Sequence, residues 1–296
     1  MSKSKVYFTR EISPASLVRV YEALGVTLPG KVAVKISTGE AGNPNYLKPE
    51  LIKDLVQKLK GTIVECNTAY EGARNDTTAH LQTAKEHGFT KIADVDIMDA
   101  DGEIEIPVKN GKHLEVDIIG KNFENYDSML NLAHFKGHPM GGFGGALKNQ
   151  SIGIASAAGK AYIHTAGKSR DVATLWEHTA PQDDFLESMA EAATAVADCM
   201  KEQEKPIVYI NVINNLSVDC DCVATPEAPC MADIGIAGSL DPVALDQVCI
   251  DMIWDSDDPG RDHFVERVER QNGRLIIDAA ARLGLGSKEY ELVELD

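Results

Sequence analysis

The chain alternates between short apolar runs and longer amphipathic stretches. A β-branched run from Val32 to Ile36 predicts a buried strand, and the stretch from Pro49 to Lys60 has the pattern of a helix. The same succession returns with a strand from Thr62 to Thr68 and a helix that ends at His87. Because parallel strands are joined by crossover connections, two such units predict a mostly parallel sheet flanked by helices, which is an α/β fold.

Between Ile92 and Gly120 the pattern changes to strict alternation, first from Glu103 to Val108 and again from Leu114 to Ile118. This period predicts antiparallel strands joined by a turn. We therefore expect a small β-hairpin lobe, 92–120, inserted in a single α/β domain over 1–296. Later elements are predicted as a strand at Ser128–His134, a long helix at Asp183–Glu204 and a strand at Ile207–Ile213.

Composition and charge exclude several classes of partner. The chain has 296 residues with 44% hydrophobic content, and 29 basic against 46 acidic side chains give a net charge of −17. Such a charge repels nucleic acid backbones and anionic membrane surfaces, so neither is an expected partner. No apolar run reaches the length of a spanning helix, and the polar N-terminus from Met1 to Lys5 lacks a signal-peptide core. These features predict a soluble cytoplasmic protein. In that compartment its six cysteines are expected to be metal ligands or redox groups and not a disulfide scaffold.

Polar residues follow the first two predicted strands, where ligands bind in open α/β sheets. Glu40 and Asn43 lie in the loop after the first strand, and Arg74 lies in the loop after the second. Arg74 is suited to a carboxylate or phosphate, with a structural ion pair as the alternative. A solvated turn is the alternative for Glu40 and Asn43.

A histidine- and glycine-rich segment, 132–149, is the strongest functional signal in the chain. It follows the strand that ends at His134, and its glycines allow the backbone amides to approach a ligand closely, with Lys148 adding positive charge. We assign acid–base or anion-binding roles to the side chains before the glycines, although the histidine pair also suits a metal and the whole segment also suits a plain surface turn. The predicted catalytic residues are His134, Lys136 and His138, and the predicted ligand-binding residues are Gly142, Gly144, Gly145 and Lys148.

Lys160 and His164 follow in a small-residue segment and complete the predicted anion site. Their alternatives are a solvated lysine and a core histidine.

Three cysteines form a second chemical signal. Cys220, Cys222 and Cys230 are interleaved with aspartates and prolines, which are poor core material. Thiolates at this spacing suit a soft metal ion or an iron–sulfur cluster, with a fourth position left to Cys66, His134, His138 or an external ligand. The alternative is a reduced loop with a reversible disulfide.

Several segments together resemble the domain of unknown function 362 family over nearly the whole chain. The resemblance implies a cytoplasmic bacterial or archaeal protein, with some relatives joined to iron–sulfur ferredoxin modules and hence a redox partner protein. The family name assigns no reaction. The segments that carry it are Lys35–Asn43 with Lys48-Pro49, Thr68–Arg74, His80–Gly88, Ala133–Asn149, Cys220–Cys222 and Asp233–Asp246.

His138 and Lys148, separated by paired glycines, are also locally similar to a glycine-rich segment of lactate racemase and its relatives. That likeness would imply a nickel-pincer nucleotide there, and it covers little of the chain. The functional prediction is a metal- or iron–sulfur-binding protein that acts on an anionic small molecule, the metal serving as Lewis acid or redox centre. The alternative is a non-catalytic protein for electron transfer or metal storage.

Overall fold

The computed structural model describes residues 3–296, so Met1 and Ser2 of the polar N-terminus lie outside the described residues. Eight strands form the main sheet in the order β12-β1-β11-β10-β7-β2-β3-β4. All neighbours are parallel except β11, which runs antiparallel to both β1 and β10. The strands are β1 Ser4–Thr9, β2 Val32–Lys35, β3 Thr62–Glu65, β4 Val95–Ile97, β5 Glu103–Pro107, β6 Val116–Gly120, β7 Ser128–His134, β8 Lys136–His138, β9 Gly142–Gly144, β10 Ile207–Ile213, β11 Gly235–Ser239 and β12 Tyr290–Glu294.

Helices pack on both faces of this sheet, which confirms the predicted α/β class. Among the described residues the α-helices are α1 Pro14–Ala23, α2 Pro49–Leu59, α3 Thr77–Glu86, α4 Ala146–Gln150, α5 Ala157–His164, α6 Gln182–Glu202, α7 Pro242–Trp254, α8 Arg261–Arg270 and α9 Leu275–Arg282. No helix within residues 3–296 combines the length and the apolar content that crossing a membrane requires.

Alternate residues of the central strands enter different core layers. In β10, Val208 and Ile210 belong to the apolar cluster that also contains residues of α1 and α2. Tyr209 and Ile213 belong to the cluster that contains residues of α6, α7 and α9. Because successive side chains of a strand point to opposite faces, this division places the sheet between two helical layers. Strands buried on both faces read as continuous apolar runs, which is why β7 and β10 were predicted with the correct bounds.

Helix starts follow the capping residues in the sequence. Ser13 forms a capping box with Ser16 at the start of α1. Asp76 accepts hydrogen bonds from two backbone amides of α3, and Asp241 does so for α7. Each cap satisfies amides that the helix leaves without a partner. These caps fix where the chain turns from the carboxyl end of a strand into the following helix.

Two small antiparallel sheets accompany the main one. The predicted hairpin is formed by β5 and β6, but the lobe is narrower than 92–120, because β4 pairs with β3 at the edge of the main sheet. The second small sheet, β8 with β9, lies in the glycine-rich segment, where the sequence predicts only a loop. Three-residue strands that are rich in glycine give no periodic signal.

Candidate functional site

A cavity of about 240 Å³ opens where β7, β2 and β3 end. These strands are parallel neighbours, so the loops after their carboxyl ends meet at one edge of the sheet. The lining includes Lys35, Glu65, Cys66, Tyr70, Arg74, His134, Lys136, His138, Gly145, Lys148, Asn149, Lys160, His164, Trp176 and Cys222.

Three lysines give the cavity its charge. Lys35, Lys148 and Lys160 line it, and none of them has a carboxylate oxygen within 4.0 Å among residues 3–296. Burial lowers the pKa of Lys35 to about 8 and also lowers the pKa of Lys160. Lysines that line a cavity without an adjacent carboxylate favour an anionic ligand.

Lys136 and His134 have internal partners instead. Lys136 Nζ lies 3.0 Å from a carboxylate oxygen of Asp221, and His134 Nδ1 lies 2.8 Å from the other. His134 Nε2 faces the Asn214 carbonyl oxygen at 2.6 Å, so both ring nitrogens have a protein oxygen as partner. Burial opposes charge on Asp221, but His134 and Lys136 outweigh it and lower its pKa. This buried triad joins β7 to the cysteine loop.

Arg74 forms the structural ion pair that the sequence left as its alternative. Its guanidinium lies 3.4 Å from Glu40 and 3.3 Å from Glu65, and it donates a hydrogen bond to the Tyr70 hydroxyl. His80 Nε2 lies 3.0 Å from the second oxygen of Glu65. Burial alone raises the pKa of Glu65, but the His80 hydrogen bond and the Arg74 charge lower it overall. Arg74 therefore pairs with Glu65 at the cavity wall and with Glu40, which does not line the cavity.

Glu40 and Asn43 connect loops rather than line the cavity. The Glu40 amide donates to the Asp221 carbonyl oxygen at 2.7 Å, and its carboxylate accepts the Ala73 amide. The Asn43 side-chain amide donates to the carbonyl oxygens of Cys220 and Val223. Through these contacts the first loop fixes the position of the cysteine loop.

The glycines have packing reasons of their own. Gly142 and Gly144 lie in β9, paired with His138 and Lys136, and do not line the cavity. A Cβ on Gly145 would overlap the carboxylate of Asp246, which accepts the amides of Ala146 and Leu147 at 2.8 and 2.9 Å. The amides after the glycines are thus already occupied, and the anion-binding role predicted for Gly142, Gly144 and Gly145 stays a prediction.

Cys220 and Cys222 form a coupled thiol pair next to this positive charge. Cys222 donates its proton toward Cys220, and with Lys148 and Lys136 nearby this holds the pKa of Cys220 well below its usual range. Lys148 Nζ lies 3.7 Å from the Cys220 sulfur. The proton shared in the pair raises the pKa of Cys222 in turn. The pair is therefore best described as one thiolate and one thiol.

His138 is the third member of this cluster, in place of Cys230. Ligand atoms of His138, Cys220 and Cys222 lie within 4.8 Å of one another. Cys230 is outside the set: its thiol donates to the Leu216 carbonyl oxygen, beside Glu227 and Asp258. Sequence spacing grouped the three cysteines, but the chain turns away between Cys222 and Cys230.

The tautomer of His138 limits how a metal fits. His138 Nδ1 accepts the amides of Met140 and Gly141 at 3.1 and 2.8 Å, so the proton of the neutral ring is on Nε2, which faces the thiols. A ligating histidine normally donates through its other nitrogen. The set thus offers a metal two sulfurs and an imidazole that must first lose a proton. An iron–sulfur cluster, usually held by four cysteines, does not fit the two thiols brought together within residues 3–296.

His164 is a core histidine at the cavity wall. Its ring stacks on Phe185 with centroids 4.5 Å apart, and burial lowers its pKa to about 3. A neutral ring at this position adds no positive charge to the cavity. It also borders Trp176, whose side chain is 51% exposed at the cavity.

Sequence reasoning missed Lys35, Glu65, Asn149 and Trp176, and it left Asp246 open between a position that faces the site and one that faces solvent. One usable signal was present, because Lys35 and Glu65 each end an apolar buried strand, where charged residues are rare. Asn149 acts through contacts with distant segments, and Trp176 lies in a single 3₁₀ turn, Leu175–Glu177, that has no periodic pattern. No local signal marks these two.

Comparisons with known proteins give a family match and two distant structural likenesses. The family model described as domain of unknown function (DUF362) matches residues 32–251. None of the curated proteins matches the sequence. The lactate racemase apoprotein from Thermoanaerobacterium thermosaccharolyticum is similar in structure, with 13% identity and a TM-score of 0.45 over 83% of this chain and 56% of that chain. A protein from Thermotoga maritima has 10% identity and a TM-score of 0.39 over 91% of this chain and 58% of that chain.

The chain thus spans under two thirds of the length of either structure, and both TM-scores are too low to support a functional comparison.

Proposed function

The chain belongs to the domain of unknown function 362 family, whose name assigns no reaction, and we propose that its cavity binds an anionic small molecule and acts on it. The observation that carries this proposal is the group of three lysines, Lys35, Lys148 and Lys160, that line the cavity with no carboxylate oxygen within 4.0 Å in residues 3–296. The chain as a whole has a net charge of −17, so a group of three lysines at one site is a local concentration of positive side chains. Burial also strengthens each lysine–anion contact, because the local dielectric is lower than in water.

Lys148 is the best residue for a direct test, since it is partly exposed whereas Lys35 and Lys160 are buried. We expect Lys148→Met to weaken binding of phosphate or small carboxylates about tenfold or more. A hydrogen bond to a charged group contributes roughly 1.5–3 kcal/mol, and about 1.4 kcal/mol corresponds to one decade of affinity. The measurement is calorimetric titration of both proteins with phosphate, acetate and pyruvate.

Lys201→Met is the matched control, because Lys201 is exposed on α6 and does not line the cavity. The control should bind each anion like the original protein. If both variants bind the anions equally weakly, the loss of affinity reflects the overall charge of the protein and not a contact in the cavity. If the original protein binds none of the anions, the proposed function is overturned.

A second candidate function is soft-metal binding by Cys220 and Cys222. The observation that favours it is the proximity of the two sulfurs and His138, within 4.8 Å of one another. Thiolates are the ligands that soft cations prefer. The metal would then lie beside the anion cavity, which Cys222 also lines.

A further inference from the structure

Lys35 is a buried lysine on an inner strand of the main sheet. It ends β2, between β7 and β3, and its side chain is 2% exposed while lining the cavity. Lysines are almost never fully buried unless they are paired. The position therefore calls for a chemical explanation.

The partners of Lys35 are neutral. Its Nζ donates to the Ile36 carbonyl oxygen at 2.5 Å and to Asn149 Oδ1 at 3.2 Å, and neither acceptor carries charge. Two acceptors satisfy both protons of a neutral amine and leave its lone pair free, whereas an ammonium would keep one proton without a partner. The hydrogen bonds thus suit the amine form that reacts, which with a pKa of about 8 is the smaller fraction of Lys35 at neutral pH and grows as the pH rises.

Desolvation decides the charge state more than the surrounding charges do, because the largest of those charges, on Glu65, opposes it. Burial lowers the pKa of Lys35 to about 8, the Glu65 carboxylate opposes this, and Lys160 and Lys148 add to it. Glu65 is itself engaged by His80 and Arg74. A lysine that is desolvated and placed next to other cations is the usual form of an activated amine nucleophile.

The amine is also held in place. A Cβ on Gly153 would lie 2.7 Å from Lys35 Cε and 2.8 Å from its Nζ, so the chain packs closely against the end of the side chain. Asn149 in turn donates to the Lys35 carbonyl oxygen and to Asn131. A side chain fixed in this way loses little entropy when it reacts.

We propose that Lys35 is the reactive amine of the cavity and forms an imine with the carbonyl carbon of an anionic oxo acid. The proposal rests on the proposed function, because Lys148 and Lys160 hold the carboxylate of the same molecule. In the step, the nitrogen lone pair forms a bond to the carbonyl carbon, and the carbon–oxygen bond breaks. The oxygen leaves as water with the two amine protons, so no oxidant or reductant takes part.

The test uses pyruvate as the probe and cyanoborohydride to trap an imine on the full chain. We expect one reduced pyruvate adduct by mass spectrometry, located on Lys35 by peptide mapping. Trapping should increase as the pH rises through about 8, since the amine form increases there. Acetone, a carbonyl compound without charge, should be trapped about tenfold more slowly, because it lacks the contact with the lysines.

Lys35→Met should lose the adduct and Lys201→Met should keep it. Mapping in the original protein needs no variant, so a poorly folded Lys35→Met does not decide the result. Pyruvate that binds in calorimetry but leaves no adduct, or an adduct on other lysines, would overturn the role of Lys35 and leave the proposed function standing. Failure of pyruvate and all other anions to bind would overturn both.

Discussion

Asp246 fixes the backbone of the segment that presents Lys148 and Asn149 to the cavity. Its carboxylate accepts the amides of Ala146 and Leu147, and it also accepts the Asn211 side-chain amide at 2.7 Å. Burial raises the pKa of Asp246 to about 6, so the three donors stabilise a carboxylate in an otherwise unfavourable place. A single side chain from α7 thus sets the geometry of a site to which it contributes no contact of its own.

We expect Asp246→Asn to destabilise the fold. An asparagine side chain has one acceptor oxygen where the carboxylate has two, so its NH₂ group must face a donor and at least one buried amide loses its partner. The free energy of unfolding should fall by about 1–3 kcal/mol, measured by chemical denaturation.

Asp257→Asn is the control for this variant, because Asp257 is exposed in the loop after α7. A surface change of this kind should alter stability by less than about 0.5 kcal/mol. Equal stability of both variants and the original protein would show that the capping of α4 does not depend on the second oxygen.

The cysteine loop between β10 and β11 is the element that combines the most predicted residues. It carries Cys220, Asp221 and Cys222 to the cavity, and Asn43 and His134 hold it there. Cys230 lies farther along the same loop, with its own backbone bond to Leu216. The loop therefore contributes two sulfurs to the cluster.

We expect cadmium to bind through the two sulfurs alone. Titration followed by the ultraviolet thiolate-to-cadmium absorbance should lose its signal in Cys220→Ser and keep it in Cys230→Ser, because Cys230 is outside the cluster. The same loss in Cys230→Ser would restore the three-cysteine hypothesis. No absorbance in the original protein would remove the second candidate function.

How far the sequence predicts an element depends on how it is stabilised. β7 and β10 are buried on both faces and carry their own apolar signal, so their bounds were predicted. β8 and β9 exist because long-range contacts support them, among them the close approach of Gly142 to Gly273. The same contrast holds in the site: the sequence offers His138 as one of several candidates for the position beside the cysteines, and the folded chain brings it to Cys220 and Cys222.

At the scale of the whole molecule, the acidic surface and the cation-lined cavity have opposite charges. The chain has a net charge of −17, whereas Lys35 and Lys160 are buried in the wall of the cavity and Lys148 is half-buried there. Trp176 lines the same cavity but is far more accessible to solvent, since it is 51% exposed. The buried lysines therefore lie deep in the cavity, and the indole of Trp176 lies at its mouth.

The two tryptophans make this arrangement measurable. Trp254 ends α7, under the Arg274 guanidinium, and does not line the cavity. In Trp254→Phe, emission comes from Trp176 alone, and we expect benzoate to protect it from acrylamide, a neutral quencher. The carboxylate is drawn to the lysines and the ring covers the indole, which is favourable because aromatic pairs gain about 0.5–1.5 kcal/mol beyond burial.

Trp176→Phe, in which only Trp254 emits, is the control and should show the same quenching with and without benzoate. Acetate, which carries the charge but no ring, should bind without protecting Trp176. Protection of Trp254 would indicate a change of the whole fold, and unchanged quenching of Trp176 at saturating benzoate would place the ligand away from the mouth. The two single-tryptophan proteins therefore report, independently of activity, whether an anion that enters this cavity reaches from the lysines to the exposed indole.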